Sequence, residues 1–333
     1  MDFTRSDRFR RKELISVIIP VYNEENNIER AYLAVCKVFT DDLNNNYDFE
    51  IIFTDNHSTD ATYEKIKNIT ATDKRVRVAR FTKNFGFNKS LLTGYRLAKG
   101  DAAIQLDCDL QDPPALFVQL IEYWKKGHDV VVGIRTKRPE GRILQGARKI
   151  FYRFLMQISE DNLIADGGDF RLISREILDQ LVTIHDATPY VRGLISSIAA
   201  NQIGIPYTRK SREHDKSKFP LVKLFSLAID GVVNHSTVPL RLASYLGFFV
   251  AIVTACLASI YLLGRIAFGF NWPSGFATEV ILILFGISLN AIFLGIIGEY
   301  ISRIYQQLKQ RPITIIESAI NLNALPTARS LEE

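Results

Sequence analysis

The stretch AAIQLDCDLQDPP, Ala102–Pro114, runs from a short apolar segment directly into three aspartates and a pair of prolines. Four apolar or small residues and one glutamine, bounded by turn formers, read as a buried strand, because a helix needs more length and a polar face. The same pattern recurs outward on both sides: LISVIIP (Leu14–Pro20), FEIIFT (Phe49–Thr54), VRVARF (Val76–Phe81) and DVVVG (Asp129–Gly133). Helix-like stretches separate these runs at Glu25–Phe39, Ala61–Ile69, Asn88–Ala98 and Pro114–Lys125. Strands alternating with helices predict an α/β fold with a mostly parallel sheet covered on both faces. In such folds ligands bind outside the carboxyl ends of the strands, so the residues just after each strand carry the most information.

Those residues are polar. The first strand ends in Pro20-Val21-Tyr22-Asn23-Glu24-Glu25, the second in Asp55-Asn56-His57-Ser58-Thr59-Asp60, and the fifth in Gly133-Ile134-Arg135. Asp107 and Asp109 lie two apart, so an extended backbone aims both the same way. With Gln111 in reach they form a hard-oxygen set suited to Mg²⁺ or Mn²⁺ carrying substrate phosphates, and unsuited to zinc. The competing reading is a turn whose aspartates cap the helix beginning near Pro114. No G-x-G-x-x-G or P-loop sequence is present, so neither nucleotide fold has its motif.

The 333 residues are 47% hydrophobic with a formal net charge of +5. Three widely spaced cysteines and five scattered histidines give neither a disulfide framework nor a zinc pattern. Distribution matters more than composition here. Between Arg241 and Arg265 lie 23 uncharged residues, and between Glu279 and Glu299 lie 19 more. Crossing a bilayer takes about 20 apolar residues in a helix, so two spans are predicted, about 242–264 and 280–301. Lys216, Lys218, Lys223 and Arg241 precede the first span, and Arg303, Lys309 and Arg311 follow the second. By the positive-inside rule both termini are expected on the cytosolic side. Two buried helices of a soluble core are the alternative, against which stands the lack of a polar face.

Together, PVYNEENNIE (Pro20–Glu29), Asp55 with Ser58 and Asp60, NFG (Asn84–Gly86) and DCDLQDPP (Asp107–Pro114) resemble glycosyltransferase family 2, with its GT-A fold. GDFRLISR (Gly168–Arg175), DKSKF (Asp215–Phe219), the two apolar spans and QRP (Gln310–Pro312) narrow the resemblance to polyisoprenyl-phosphate glycosyltransferases. These are relatives of dolichyl-phosphate mannose synthase and the bactoprenol glucosyltransferases. The resemblance covers about Leu14 to Pro312. Two positions depart from the family's usual pattern. Asp55-Asn56-His57 stands where two aspartates and a glycine are usual, and Lys216 lies at or near the place of a glycine.

The resemblance implies a role for each matching residue. Pro20, Tyr22, Glu24 and Asp55, with Asp107, would hold the donor nucleotide. Asp107, Asp109 and Gln111 would hold Mg²⁺ or Mn²⁺ and the diphosphate. Arg135 would sit between the donor diphosphate and the acceptor phosphate, with Arg171 close by. Independently of the resemblance, Arg138, Arg142, Arg148 and Lys149 form a basic stretch after the fifth strand that reads either as a solvated helix face or as a clamp for phosphate groups, with Arg148 the candidate acceptor contact. Asp169 matches the proposed catalytic aspartate; its plain alternative is a helix cap or a partner to Arg171. The expected order is a basic tail (1–12), a GT-A domain (13–215), a juxtamembrane amphipathic segment (216–240), two transmembrane helices (241–303) and a cytosolic C-terminal tail (304–333). The implied reaction is an inverting transfer of a hexose from a nucleotide-sugar to a polyisoprenyl phosphate, undecaprenyl phosphate by the bacterial resemblance. It would take place at the cytosolic face of the plasma membrane. The partners are then donor, acceptor and lipid bilayer, with self-association and no nucleic acid. Two rivals remain: a processive polysaccharide synthase, whose Q-x-x-R-W motif is missing, and a non-catalytic phospholipid-binding membrane scaffold.

Overall fold

A computed structural model describes residues 12–43, 46–135, 167–208, 238–268, 275–309 and 311–322. They divide into two units, one formed by the described residues up to 208 together with 311–322, the other by two long helices.

The first unit is an eight-stranded sheet in the order β7-β5-β6-β4-β1-β2-β3-β8. Its strands are β1 (Leu14–Val21), β2 (Asp48–Asp55), β3 (Val76–Phe81), β4 (Ala102–Gln105), β5 (Val130–Arg135), β6 (Gly167–Ser174), β7 (Gln202–Tyr207) and β8 (Ile316–Ile320). The first five fall where the apolar runs predict them. Helices α1 (Ile28–Lys37), α2 (Thr62–Thr72), α3 (Phe87–Leu97), α4 (Phe117–Lys125), α5 (Arg175–Thr183) and α6 (Val191–Ile198) cover the sheet. Two apolar layers result. One packs α1 and α4 through Ile28, Val35, Phe117 and Leu120 against Ile15, Val17, Ile51 and Ile104. The other packs α3, α5 and α6 through Leu91, Tyr95, Ile177 and Ile195 against Ile18, Ile52 and Ile173. Because successive strand residues face opposite ways, Val17 and Ile18 serve different layers. At Gly94 on α3 a side chain would collide with Ile18, so the missing Cβ sets how closely that helix lies on the sheet.

Strand direction places the site. β1 runs parallel to β2 and β4, and β2 to β3. β6 is antiparallel to β4 and to β5, and β7 is parallel to β5. The carboxyl ends of β1–β5 and β7 therefore share one edge with the amino end of β6. The C-terminal segment 304–333, expected as a tail, contributes β8, which pairs antiparallel with β3 through Val78↔Ile320 and Arg80↔Ser318. Short length and two polar residues in IESAI hid this strand, whose partner lies more than 200 positions away.

The second unit holds α7 (Val238–Phe268) and α8 (Phe276–Leu308). Within α8, the 24 residues Phe285–Leu308 include an 18-residue window with a mean hydropathy of 1.5 and no buried residue, long and apolar enough to cross a membrane. In α7 the apolar run Leu242–Thr254 is shorter. The two helices touch where Gly247 faces the Phe293 ring. The basic N-terminal residues 1–11, Arg148 and the juxtamembrane stretch 216–237 lie outside the described residues.

Candidate active site

Three loops leaving β1, β2 and β4 each hold one non-glycine residue in the left-handed region: Asn23 (φ 55°), His57 (φ 63°) and Leu110 (φ 54°). This conformation costs about 1 kcal/mol or more for a residue with a Cβ, least for asparagine, and it clusters at functional sites. His57 occupies the position where the family usually shows glycine, and its positive φ gives the reason a glycine suits it.

Side chains bind the first two loops to each other. The Asn23 amide N–H donates to Ser58 Oγ (3.0 Å), and Asn23 Oδ1 accepts from the Thr59 N–H (2.8 Å). The Glu24 N–H donates to Thr62 Oγ1 (2.8 Å), while the Glu24 carboxylate accepts from Asn27 Nδ2 (2.6 Å). Tyr22 is exposed beside them. Asp55 is fully buried at the tip of β2. Its Oδ1 accepts from both the N–H (3.0 Å) and the hydroxyl (2.5 Å) of Ser58. Its Oδ2 accepts no hydrogen bond from the described residues. A buried acceptor left open is costly, and such an atom is suited to a ligand's N–H.

Beyond β4 the loop turns at Leu110, and the Gln111 N–H donates to Asp109 Oδ1 (3.1 Å). The N-cap residues of the Pro114–Leu116 turn and of α4 are Pro113 and Leu116, neither of which makes a side-chain cap bond. Gln105 Nε2 donates to Asp107 Oδ1 (2.7 Å). Burial, then the nearby charges of Asp112, Asp109 and Asp169, push the Asp107 carboxyl up to about 6, against the pull of Gln105. Like charge from three neighbouring carboxylates thus adds to the cost of burying this one.

Arg135 enters from β5. Its Nε donates to the Tyr207 hydroxyl (3.2 Å) and its Nη2 to Asp112 Oδ2 (3.1 Å), while Tyr207 donates a short hydrogen bond to Asp112 Oδ1. Burial works against the guanidinium charge, but Asp112, Tyr207 and Asp107 outweigh it and raise its pKa. Burial and the bond to Asp112 likewise raise the Tyr207 phenol, which stays protonated. The register Arg135↔Tyr207 brings the two side by side, and the bare Gly133 leaves room for the rings of Tyr207 and Phe170.

Asp169, at the amino end of β6, pairs with Arg192 of α6 (Oδ1 to Nε, 3.4 Å). Arg171 is buried and donates through Nη2 to the Gly168 carbonyl (2.8 Å). Burial lowers its pKa, opposed by Tyr95 and Asp169. The edge therefore gathers Pro20, Tyr22, Glu24, Asp55, Asp107, Asp109, Gln111, Arg135, Asp169 and Arg171. Sequence reasoning missed Asp112, Tyr207 and Arg192. Asp112 lay within the DCDLQDPP motif and carried a visible signal; the other two depend on strand pairing and helix placement.

The donor set fits a divalent cation. Asp107 and Asp109 supply hard oxygens, and burial together with like charge from Asp112, Asp109 and Asp169 disfavours the Asp107 anion, which a cation would relieve. The buried Gln111 amide has an Nε2 that meets no partner among the described residues. Amide N and O exchange places by a simple flip, so the same position can present an oxygen. Among the described residues no three His, Cys, Asp or Glu side chains converge on a ready-made cage. Two carboxylates and an amide would leave the remaining positions to substrate oxygens.

The family model described as "Glycosyl transferase family 2" matches residues 16–182. The chain belongs to glycosyltransferase family 2. It is a glycosyltransferase with a GT-A catalytic fold followed by a helical hairpin. It is 35% identical over 305 residues to the bactoprenol glucosyl transferase of Shigella phage SfX, covering 91% of this chain and 99% of that one. It is also 34% identical over 308 residues to the glycosyltransferase YkcC of Bacillus subtilis, covering 92% and 94%. A solved structure, the mannosyltransferase PcManGT of Pyrobaculum calidifontis in complex with GDP-Man and Mn²⁺, aligns at 17% identity over 91% of this chain and 89% of that one, with a TM-score of 0.44.

Proposed function

We propose that this glycosyltransferase moves a hexose from a nucleotide-sugar to a polyisoprenyl phosphate, undecaprenyl phosphate in the bacterial setting, with inversion at the anomeric carbon. The observation that carries the reading is the one-edge assembly of four mutually repelling carboxylates beside the restrained Arg135. Nearly full-length similarity to bactoprenol glucosyl transferases supports the lipid acceptor. The donor nucleoside lies across the β1 and β2 loops, against Tyr22 and Glu24, with Asp55 Oδ2 accepting a base N–H.

Asp107, Asp109 and Gln111 would hold Mg²⁺ or Mn²⁺, which supplies charge neutralisation to the departing diphosphate. Arg135, fixed by Asp112 and Tyr207, faces the phosphates with little reorganisation left to pay for in the transition state. The nucleophile is a phosphate monoester whose second pKa is about 6, so it arrives as an anion and needs little help from a base. Asp169, paired with Arg192, orients the acceptor and takes its last proton when one remains. Arg171, shut away beneath, fixes the amino end of β6; Arg192 is the more accessible cation for the acceptor phosphate.

In the same reading α7 and α8 both span the plasma membrane, the catalytic domain and both termini lie in the cytosol, and the chain self-associates. Residues 13–215 and the returning C-terminal strand form the catalytic domain. Purified protein incubated with Mg²⁺, undecaprenyl phosphate and a panel of radiolabelled nucleotide-sugars tests the proposal. One donor should yield a labelled lipid carrying a single sugar, and that lipid should release the sugar under mild acid. Long polymer would point to a processive synthase, and unlabelled lipid with every donor to a scaffold.

A further inference from the structure

The strand that follows α8 carries Glu317 into the neighbourhood of Asp55. Glu317 Oε2 lies 3.4 Å from Arg80 Nε and 3.4 Å from His57 Nδ1. His57 Nδ1 is in turn 3.0 Å from the Phe81 carbonyl oxygen. Arg80 stacks over the Tyr63 ring, 4.5 Å from its centroid, and its Nη2 donates to the Ser58 carbonyl (3.3 Å). The Tyr63 hydroxyl shares a 2.6 Å hydrogen bond with Ser318, one residue beyond Glu317. On its other side Arg80 Nη1 stands 3.7 Å from Asp55 Oδ2. That distance allows charge attraction but is too long for a hydrogen bond.

One guanidinium therefore lies between two carboxylates, and only one of them is the buried atom with no hydrogen bond from the described residues. A shift of under about 1 Å would let Arg80 donate to Asp55 Oδ2, within normal hydrogen-bond range. The atom would then be closed to any ligand. We propose that Glu317 is a positioning residue for the donor nucleoside: it holds Arg80 back, so that Asp55 Oδ2 stays open to a nucleobase N–H. This rests on the assignment of Asp55 to the donor base. His57, rigid in its left-handed turn, adds a second contact that fixes where Glu317 sits. Half the Glu317 side chain is exposed (49%), so its ion pairs contribute little to folding. The effect of losing it falls on binding.

Calorimetric titration of the full-length protein with UDP and with GDP, each in Mg²⁺, tests the inference. For whichever diphosphate binds wild type, Glu317→Gln should raise Kd by about fivefold, the upper end of what an exposed ion pair is worth. Glu317→Lys should raise it further, since the new cation pushes Arg80 toward Asp55. In an Arg80→Ala background, Glu317→Gln should change nothing, a result that a merely structural role for Glu317 does not produce. Asp55→Asn serves as the reference. If it binds weakly while both Glu317 variants bind like wild type, the inference is overturned and the donor-site reading stands. Weakening by Glu317→Gln that persists without Arg80 also overturns the inference. Wild-type affinity in Asp55→Asn, or binding of neither diphosphate to wild type, overturns the donor-site reading itself.

Discussion

Glu50 and Asp107 are carboxylates at opposite ends of one sheet, and their surroundings are opposite in kind. Near the amino ends of β1–β3, Glu50 Oε1 accepts from Ser16 Oγ (2.7 Å) and the Lys99 N–H (2.8 Å), and its Oε2 from Arg77 Nη1 (2.5 Å). Arg77 also reaches the Leu97 carbonyl (3.0 Å), and Ser16 accepts from the Gly100 N–H (2.8 Å). Every oxygen of Glu50 is occupied by a donor, and its charge is matched. At the carboxyl edge Asp107 Oδ1 accepts from Gln105, and three other aspartates stand around the carboxylate. The first end ties β1, β2, β3 and the turn after α3 together. The second gathers like charges around Asp107, a crowding that a bound cation would relieve. Stability and chemistry have been allotted to different edges of the same element.

Four substitutions probe that contrast. Asp109→Ala carries the largest expected effect: sugar transfer falls on the order of a thousandfold, as when a main electrostatic group is removed from a transition state, while thermal unfolding stays near wild type. Activity close to wild type would detach this edge from the chemistry. Glu50→Ala should do the reverse. Leaving Arg77 buried without its counter-charge costs roughly 3 kcal/mol in chemical denaturation, while turnover per folded molecule is kept.

Asp107→Asn gives the sharpest test, because it should lower transfer, by less than Asp109→Ala does, and yet stabilise the metal-free protein. The folded-state pKa of Asp107 is raised above its ordinary value, so the charged form is disfavoured by folding. Ionisation therefore costs wild-type stability as pH rises from about 4 through about 6. At pH 7 the neutral amide should gain about 1 to 2 kcal/mol, allowing for partial solvent screening, and the gain should vanish below about pH 4. Denaturation curves of both proteins at pH 4, 5, 6 and 7 read this directly; a gap that does not depend on pH would contradict it. Tyr207→Phe is the mildest change. Losing the hydroxyl that donates to Asp112 and accepts from Arg135 should lower kcat by about fivefold, near 1 kcal/mol, with donor KM little altered.

The five strands β1–β5 were legible because each is a dense apolar run between turn formers. β6 was hidden by Asp169 and Arg171 within GDFRLIS, and β7 by the glycine and proline of QIGIPY. Both are non-local decisions: their partners choose them, and their own residues carry little preference. The site followed the same division. Asp55, Asp107, Asp109 and Arg135 could be found from the rule that strand ends carry ligands. Tyr207 becomes a neighbour of Arg135 only through the β5–β7 register, and Arg192 reaches Asp169 only through the placement of α6. Arg171 was expected near the acceptor; its burial and its bond to the Gly168 carbonyl come from the packing of β6 and could not be read from GDFRLIS.

The strand β8 ties catalytic assembly to the order of synthesis. A ribosome making this chain has already released both long helices before Ile316–Ile320 emerges, so until then the outer edge of β3 has unpaired backbone groups from Val78 to Phe81. A fragment cut ahead of Val238 would keep that open edge permanently and lack Glu317. Recombinant work on the catalytic half alone should therefore graft residues 311–322 back on, or expect a sticky protein with a distorted nucleotide pocket.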